Sequence, residues 1–66
     1  MSVMSESGNK IQAVLIEKGH SQVWLAKKLD KHKNTVYGYC SGKIDPPKKV
    51  IFQIAQILNV HLKDLL

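Results

Sequence analysis

From Ser21 to Lys43 the chain runs SQVWLAKKLDKHKNTVYGYCSGK, two short stretches of helically spaced apolar residues separated by a tight break. In the first, Leu25, Ala26 and Leu29 fall on one face; in the second, Val36, Tyr39 and Cys40 do. Left outward on the second stretch are Asn34, Tyr37, Gly38 and Ser41. A helical pair of this kind can set one helix into the major groove of DNA, which makes that outward face a candidate reading surface.

Length limits what can surround this pair. A chain of 66 residues makes one small domain, and such a domain buries only about 60% of the surface its unfolded chain exposes. One cysteine excludes an internal disulfide framework, and His20, His32 and His61 lack the paired close spacing of a zinc site, so no metal or cofactor is expected. Helix packing has to supply the stability. No apolar run approaches the roughly 18 residues of a membrane span, and no charged segment followed by an apolar signal region opens the chain. A cytoplasmic, reducing location is the simplest expectation. The first residues, MSVMSESG, read as a frayed tail.

Charge is concentrated in the middle. Residues 27–49 hold Lys27, Lys28, Lys31, Lys33, Lys43, Lys48 and Lys49 against Asp30 and Asp45, a net +5, while the acids and bases elsewhere balance. A basic centre is the electrostatic footprint of a phosphate-binding surface, although a solvated lysine face has the same composition. Every basic residue is lysine. Lysine acts as a flexible point charge rather than a bidentate fork, so strong salt dependence and modest sequence discrimination are expected.

The remaining periodicity predicts further helices. A first helix is expected from about Asn9 to Lys18, burying Ile11, Val14 and Leu15 and ended by Gly19. Ser21 caps the second, Asp30 and Lys31 mark the turn, and the third runs from about Lys33 to Cys40 with Ser41 and Gly42 as its stop. Asp45 before Pro46 and Pro47 is a start signal for a fourth helix reaching Leu58. Ile51, Ile54, Ala55 and Leu58 share its inner face, with Val50, Phe52 and Ile57 on the flanks. After Asn59, a short final helix from about Leu62 to Leu66 would insert Leu62 and Leu65 over Val60. No repeat, low-complexity segment or strand-like alternation occurs, so the domain is expected to be all-α.

These residues resemble the helix-turn-helix domains of the phage repressor and Cro type, the XRE family. The resemblance runs from Ile11 to Leu66 through Gly19, Ser21-Gln22, Leu25-Ala26, Leu29, Thr35-Val36, Tyr39, Gly42-Lys43, Pro46, Ile54-Ala55, Leu58-Asn59-Val60 and Leu65-Leu66, with no insertion. It implies a five-helix lambda-repressor-like DNA-binding domain over residues 9–66, preceded by a flexible tail over residues 1–8. It also implies that the third helix enters the major groove while the second lies across the backbone. Carried over by position, Lys33 and Asn34 open the recognition helix as base contacts, with Tyr37 beside them; an amide there can pair with adenine and a lysine can donate to guanine. Gln22, Ser41 and Lys43 fall where the family meets phosphate, and Lys31, in the turn, is a further phosphate candidate. The family's pairing through the loop between its fourth and fifth helices and the fifth helix itself makes Val60, Leu62 and Leu66 the candidate dimer edge.

Several positions depart from the family pattern. Gly38 offers no side chain where a long polar one is common, and costs a helix interior roughly 1 kcal/mol relative to alanine; either the backbone approaches DNA closely there or the position is not read. Leu15 and Cys40 stand in place of a buried arginine–glutamate pair, an exchange that is often neutral or stabilising. Asp30 and Lys31 replace a glycine and an apolar residue, so Lys31 must reach solvent or phosphate. His32 and His61 stand at cap positions that favour serine or threonine, and both read as exposed loop histidines. Trp24 lies on the flank of the second helix, either packed over the end of the first or fourth helix or forming a partner surface with Phe52 and Ile57.

Two functions are therefore expected to compete. One is a sequence-specific regulator binding double-stranded DNA as a homodimer, a repressor by promoter occlusion. The other is a protein-interaction module such as the antitoxin of a toxin–antitoxin pair, docking its partner through Trp24, Phe52 and Ile57. An enzyme is not expected, because no carboxylate pair or nucleophile–base constellation occurs.

Overall fold

The computed structural model describes residues 6–66. Helix α1 spans Glu6–Lys18, α2 Gln22–Leu29, α3 Lys33–Ser41 and α4 Lys48–Leu58, followed by a 3-10 turn at Leu62–Asp64. Among the described residues there is no strand. The fifth helix expected at Leu62–Leu66 is present only as that 3-10 turn. Helix α1 starts at Glu6, ahead of the expected Asn9, while residues 1–5 of the expected tail lie outside the described residues.

The stripes set by the sequence meet in one core. Ile11 and Leu15 of α1, Leu25 and Ala26 of α2, Val36, Tyr39 and Cys40 of α3, Val50, Ile51, Ile54, Ala55 and Leu58 of α4, and Leu65 are all buried. Val14, Trp24, Leu29, Ile57 and Val60 pack around them. Leu15 and Cys40 both lie inside this cluster, so their packing is apolar. Helix α3 rests on α1 and α2, and α4 closes against both of those helices. Val50, expected on the flank, is buried, because the apolar stripe of α4 is wide enough to include adjacent positions 50 and 51. Leu62 is the reverse case: expected to insert beside Leu65, it is 37% exposed, while Leu65, just past the 3-10 turn, is fully buried.

Three helices end in the same way. At α1, the Gly19 N–H donates to Ile16 O (3.1 Å) and the His20 N–H to Leu15 O (2.9 Å). At α2, Asp30 donates to Lys27 O (3.2 Å) and Lys31 to Ala26 O (3.0 Å); at α4, Asn59 donates to Gln56 O (3.2 Å) and Val60 to Ala55 O (3.0 Å). This is the Schellman arrangement, which requires a left-handed residue just past the helix. Gly19 (φ 76°) meets the requirement without steric cost, whereas Asp30 (φ 56°) and Asn59 (φ 57°) meet it as two of the side chains that tolerate the conformation best. The turn after α2 thus keeps glycine-like geometry although aspartate occupies it.

The start of α4 differs from the sequence expectation. Asp45 is not its cap; Pro47 is, with φ −60° and ψ 154° and no side-chain hydrogen bond. Pro47 forces the preceding Pro46 away from helical geometry, so Pro46 cannot open the helix and Asp45 cannot cap it. The Val50 and Ile51 N–H groups then donate to Pro47 O at 2.9 and 3.0 Å.

Candidate nucleic-acid interface

Helix α3 is buried along Val36, Tyr39 and Cys40, which fixes the opposite face outward. Lys33 and Asn34 are exposed on its first turn, and Tyr37 follows one turn later with 39% of its surface open. All three expected base-contact residues therefore stand together on the solvent side. The N-terminus of α3 is held by His32, whose Nδ1 accepts from the Asn34 N–H at 3.1 Å. His32 is thus a working cap rather than an idle loop residue. Its Nδ1 supplies the acceptor that serine or threonine would otherwise provide.

The four expected phosphate-contact residues fall into two groups. Lys31, in the turn between α2 and α3, and Lys43, in the loop after α3, are exposed with extended reach. Gln22 and Ser41 are half-buried and already engaged. Gln22 Nε2 donates to Gln12 Oε1 at 2.6 Å, tying the start of α2 to α1 and leaving one amide hydrogen free. Ser41 Oγ donates to Gly38 O at 3.2 Å, so its proton is committed within α3 and the hydroxyl faces outward chiefly as an acceptor. A hydroxyl in that state is poorly suited to donate to phosphate. Lys27, Lys28, Lys33, Lys48 and Lys49 are also exposed, so the basic centre of the sequence is a basic surface of the fold.

Gly38, expected on the outward face, is buried, but by a different route from the core residues. The loop after α3 does not close as the other three helix ends do. Gly42 (φ 83°) donates to Tyr39 O at 3.3 Å, but the second bond comes one residue late, from the Ile44 N–H to Gly38 O at 3.0 Å. The extra residue brings the Ile44 side chain back over Gly38. A Cβ at position 38 would lie 2.4 Å from Ile44 Cδ1 and 2.8 Å from Cγ1. Glycine is needed here for close approach, yet what approaches is the chain's own loop. No periodicity signals a contact of this kind, and Ile44 was not among the expected site residues.

Trp24 makes a second contact outside the core. Its ring stacks on His20 with centroids 3.7 Å apart and planes within 4°, and Lys28 Nζ lies 5.7 Å from the ring centroid. Trp24 and Lys28 are one turn apart on α2, the interval that brings side chains together on a helix, whereas His20 reaches the ring from the connection between α1 and α2. One face of the indole is therefore covered, and Trp24 packs at the α1–α2 joint. Of the other two residues of the expected partner surface, Ile57 is half-buried against the core and Phe52 is 52% exposed. At the expected dimer edge Leu62 and Leu66 are exposed and Val60 is half-buried.

Cys40 is free and buried, and desolvation pushes its thiol up to about 11. It stays protonated at neutral pH and is a core residue. Among the described residues no group of three or more His, Cys, Asp or Glu comes together, and no helix is long and apolar enough to cross a membrane.

A family model described as helix-turn-helix matches residues 11–65. The crystal structure of a protein from Bacteroides fragilis, provisionally described as DNA-binding, is similar over 85% of this chain and 90% of its own, with 36% identity and a TM-score of 0.83. No curated protein matches the chain.

Proposed function

Since the chain belongs to the helix-turn-helix family, we propose that it is a regulator that binds double-stranded DNA through α3. The observation that carries this reading is the division of α3: Val36, Tyr39 and Cys40 fix it to the core, while Lys33, Asn34 and Tyr37 remain open together beyond a capped N-terminus. In this reading α3 lies in the major groove, with Asn34 on adenine, Lys33 on guanine and Tyr37 against a sugar, methyl or phosphate. Lys31 and Lys43 hold phosphates, with Gln22 adding its free amide hydrogen and Ser41 a minor contact. A single domain of this size covers little DNA, so the protein acts as a homodimer on half-sites about 34 Å apart, paired through Val60, Leu62 and Leu66, and represses by occupying a promoter.

Titration of labelled random duplex at low salt tests the binding itself. The expected result is tight association that weakens steeply with salt, the slope falling by about one unit in Lys31→Ala. Absence of binding at low salt overturns the proposal. Asn34→Ala should keep non-specific binding and lose preference for the selected site.

The competing reading, docking of a protein partner in the manner of an antitoxin, draws support from Phe52, a large apolar side chain left open on α4. It predicts co-purification with a second protein, and a stable lone dimer counts against it.

A further inference from the structure

Ile44 takes the place on the reading face that Gly38 leaves without a side chain. The residues of α3 that share this face are 34, 37, 38 and 41, by helical spacing. A side chain on Gly38 would project along a line already occupied: its Cβ position is 2.4 Å from Ile44 Cδ1, 2.8 Å from Cγ1 and 3.4 Å from Cβ. The isoleucine therefore lies along the direction position 38 points, one turn beyond Asn34 and next to Tyr37. The loop holds it there, because the Ile44 N–H donates to Gly38 O at 3.0 Å, the same oxygen that receives the Ser41 hydroxyl. Despite this anchoring, Ile44 is 44% exposed, so part of an apolar side chain remains open beside an otherwise polar face.

We propose that Ile44 is a specificity-determining residue that reads a thymine through its C5 methyl group. The inference rests on the DNA-binding reading above. An aliphatic side chain cannot bond phosphate or a base edge, so the partner in the groove that suits it is the one apolar group displayed there, the thymine methyl. Asn34 and Ile44 then read neighbouring positions of one half-site by different chemistry: an amide for hydrogen bonds, a methyl-bearing branch for apolar contact. Lysine-only basic residues position the protein without discriminating strongly, which leaves more of the specificity to such contacts.

The test uses the full chain and a duplex selected from a random pool, with each thymine replaced in turn by deoxyuridine, which removes only the C5 methyl. For the wild type, one replacement per half-site should weaken binding about fourfold, the effect of one methyl left without apolar contact. In Ile44→Ala that penalty should vanish while penalties at other positions persist. Gly38→Ala, whose new Cβ forces the Ile44 tip aside without deleting it, should lose the same penalty, and thermal melting confirms that both variants are folded. An unchanged penalty in folded Ile44→Ala, or a wild type indifferent to every replacement, overturns the role of Ile44 while leaving DNA binding intact. A wild type that binds no duplex overturns both.

Discussion

Replacing Asp30 with glycine should stabilise the fold, because two features of its position oppose an aspartate. Its backbone is left-handed, φ 56° and ψ 45°, where an ordinary L side chain costs roughly 1–2 kcal/mol and aspartate somewhat less. Its carboxylate also stands just past the C-terminal end of α2, where a negative charge on the surface is disfavoured by about 0.3–1 kcal/mol. Against these gains, glycine adds about 0.5–1 kcal/mol of conformational entropy to the unfolded chain, and the favourable field of nearby Lys27, Lys28 and Lys31 is worth only a few tenths at an exposed site. The balance is a gain of about 1 kcal/mol, or roughly 4–8 °C in melting temperature for a domain of this size. Two further substitutions separate the causes. Asp30→Asn keeps a side chain that tolerates the left-handed region and removes the charge alone, so it should gain about half as much. Asp30→Ala removes the charge but lacks that tolerance, and should melt at or below the wild type. Circular dichroism melts and urea titrations of the four proteins give the order Gly, Asn, Asp, Ala from most to least stable. A glycine variant less stable than wild type, or an alanine variant as stable as the glycine one, refutes the reasoning.

Removing the imidazole acceptor in His32→Ala should cost about 0.5–1 kcal/mol, while His32→Ser keeps a cap and should be at least as stable as wild type; equal urea midpoints for alanine and serine would exclude a capping role. The thiol of Cys40, pushed up to about 11 by burial, should not react with a thiol reagent at pH 8 until the protein unfolds. Since its folded value lies above the unfolded one near 9.0, its contribution is complete below that value and is lost as pH rises toward 11, a fall of about 2–3 kcal/mol. Cys40→Ala should abolish that part of the alkaline destabilisation, and an identical pH dependence in the variant would remove the thiol as its source. Ile54, with 0% of its surface exposed, should lose about 2–5 kcal/mol when cut to alanine, most of the stability of so small a domain. Phe52→Ala should stay within about 0.5 kcal/mol, and a large loss there would show that its ring is part of the core.

The helices were legible because each carries an apolar stripe at its own period and stops at a residue that tolerates left-handed backbone. The buried sets of α1, α2 and α3 follow directly from Ile11 and Leu15, Leu25 and Ala26, and Val36, Tyr39 and Cys40. Asn34 and Tyr37 were legible as the remainder of the third stripe and Lys33 through the family resemblance, whereas Gly38, expected on the same face, is buried. What could not be seen depends on contacts outside any period. Ile44 reaches Gly38 through a loop bond one residue longer than at the other helix ends, and sequence spacing cannot distinguish the two closures. Asp45 resembled a cap because aspartate before proline often is one; the second proline transfers that position to Pro47. The engagement of Gln22 with Gln12 joins residues on different helices, so no local pattern announces it.

The stack of Trp24 on His20 has a practical consequence. Trp24 is the single tryptophan of the chain, and the two tyrosines, Tyr37 and Tyr39, both lie on α3. Indole emission therefore reports the α1–α2 joint, changing when the imidazole stacked on it, with centroids 3.7 Å apart, departs. Energy transfer from tyrosine to that same indole reports the distance from α3 to α2. An unlabelled sample thus carries two optical signals, one for each joint of the helical pair, and a stopped-flow mixing experiment can time the opening of each as the domain unfolds or meets its ligand.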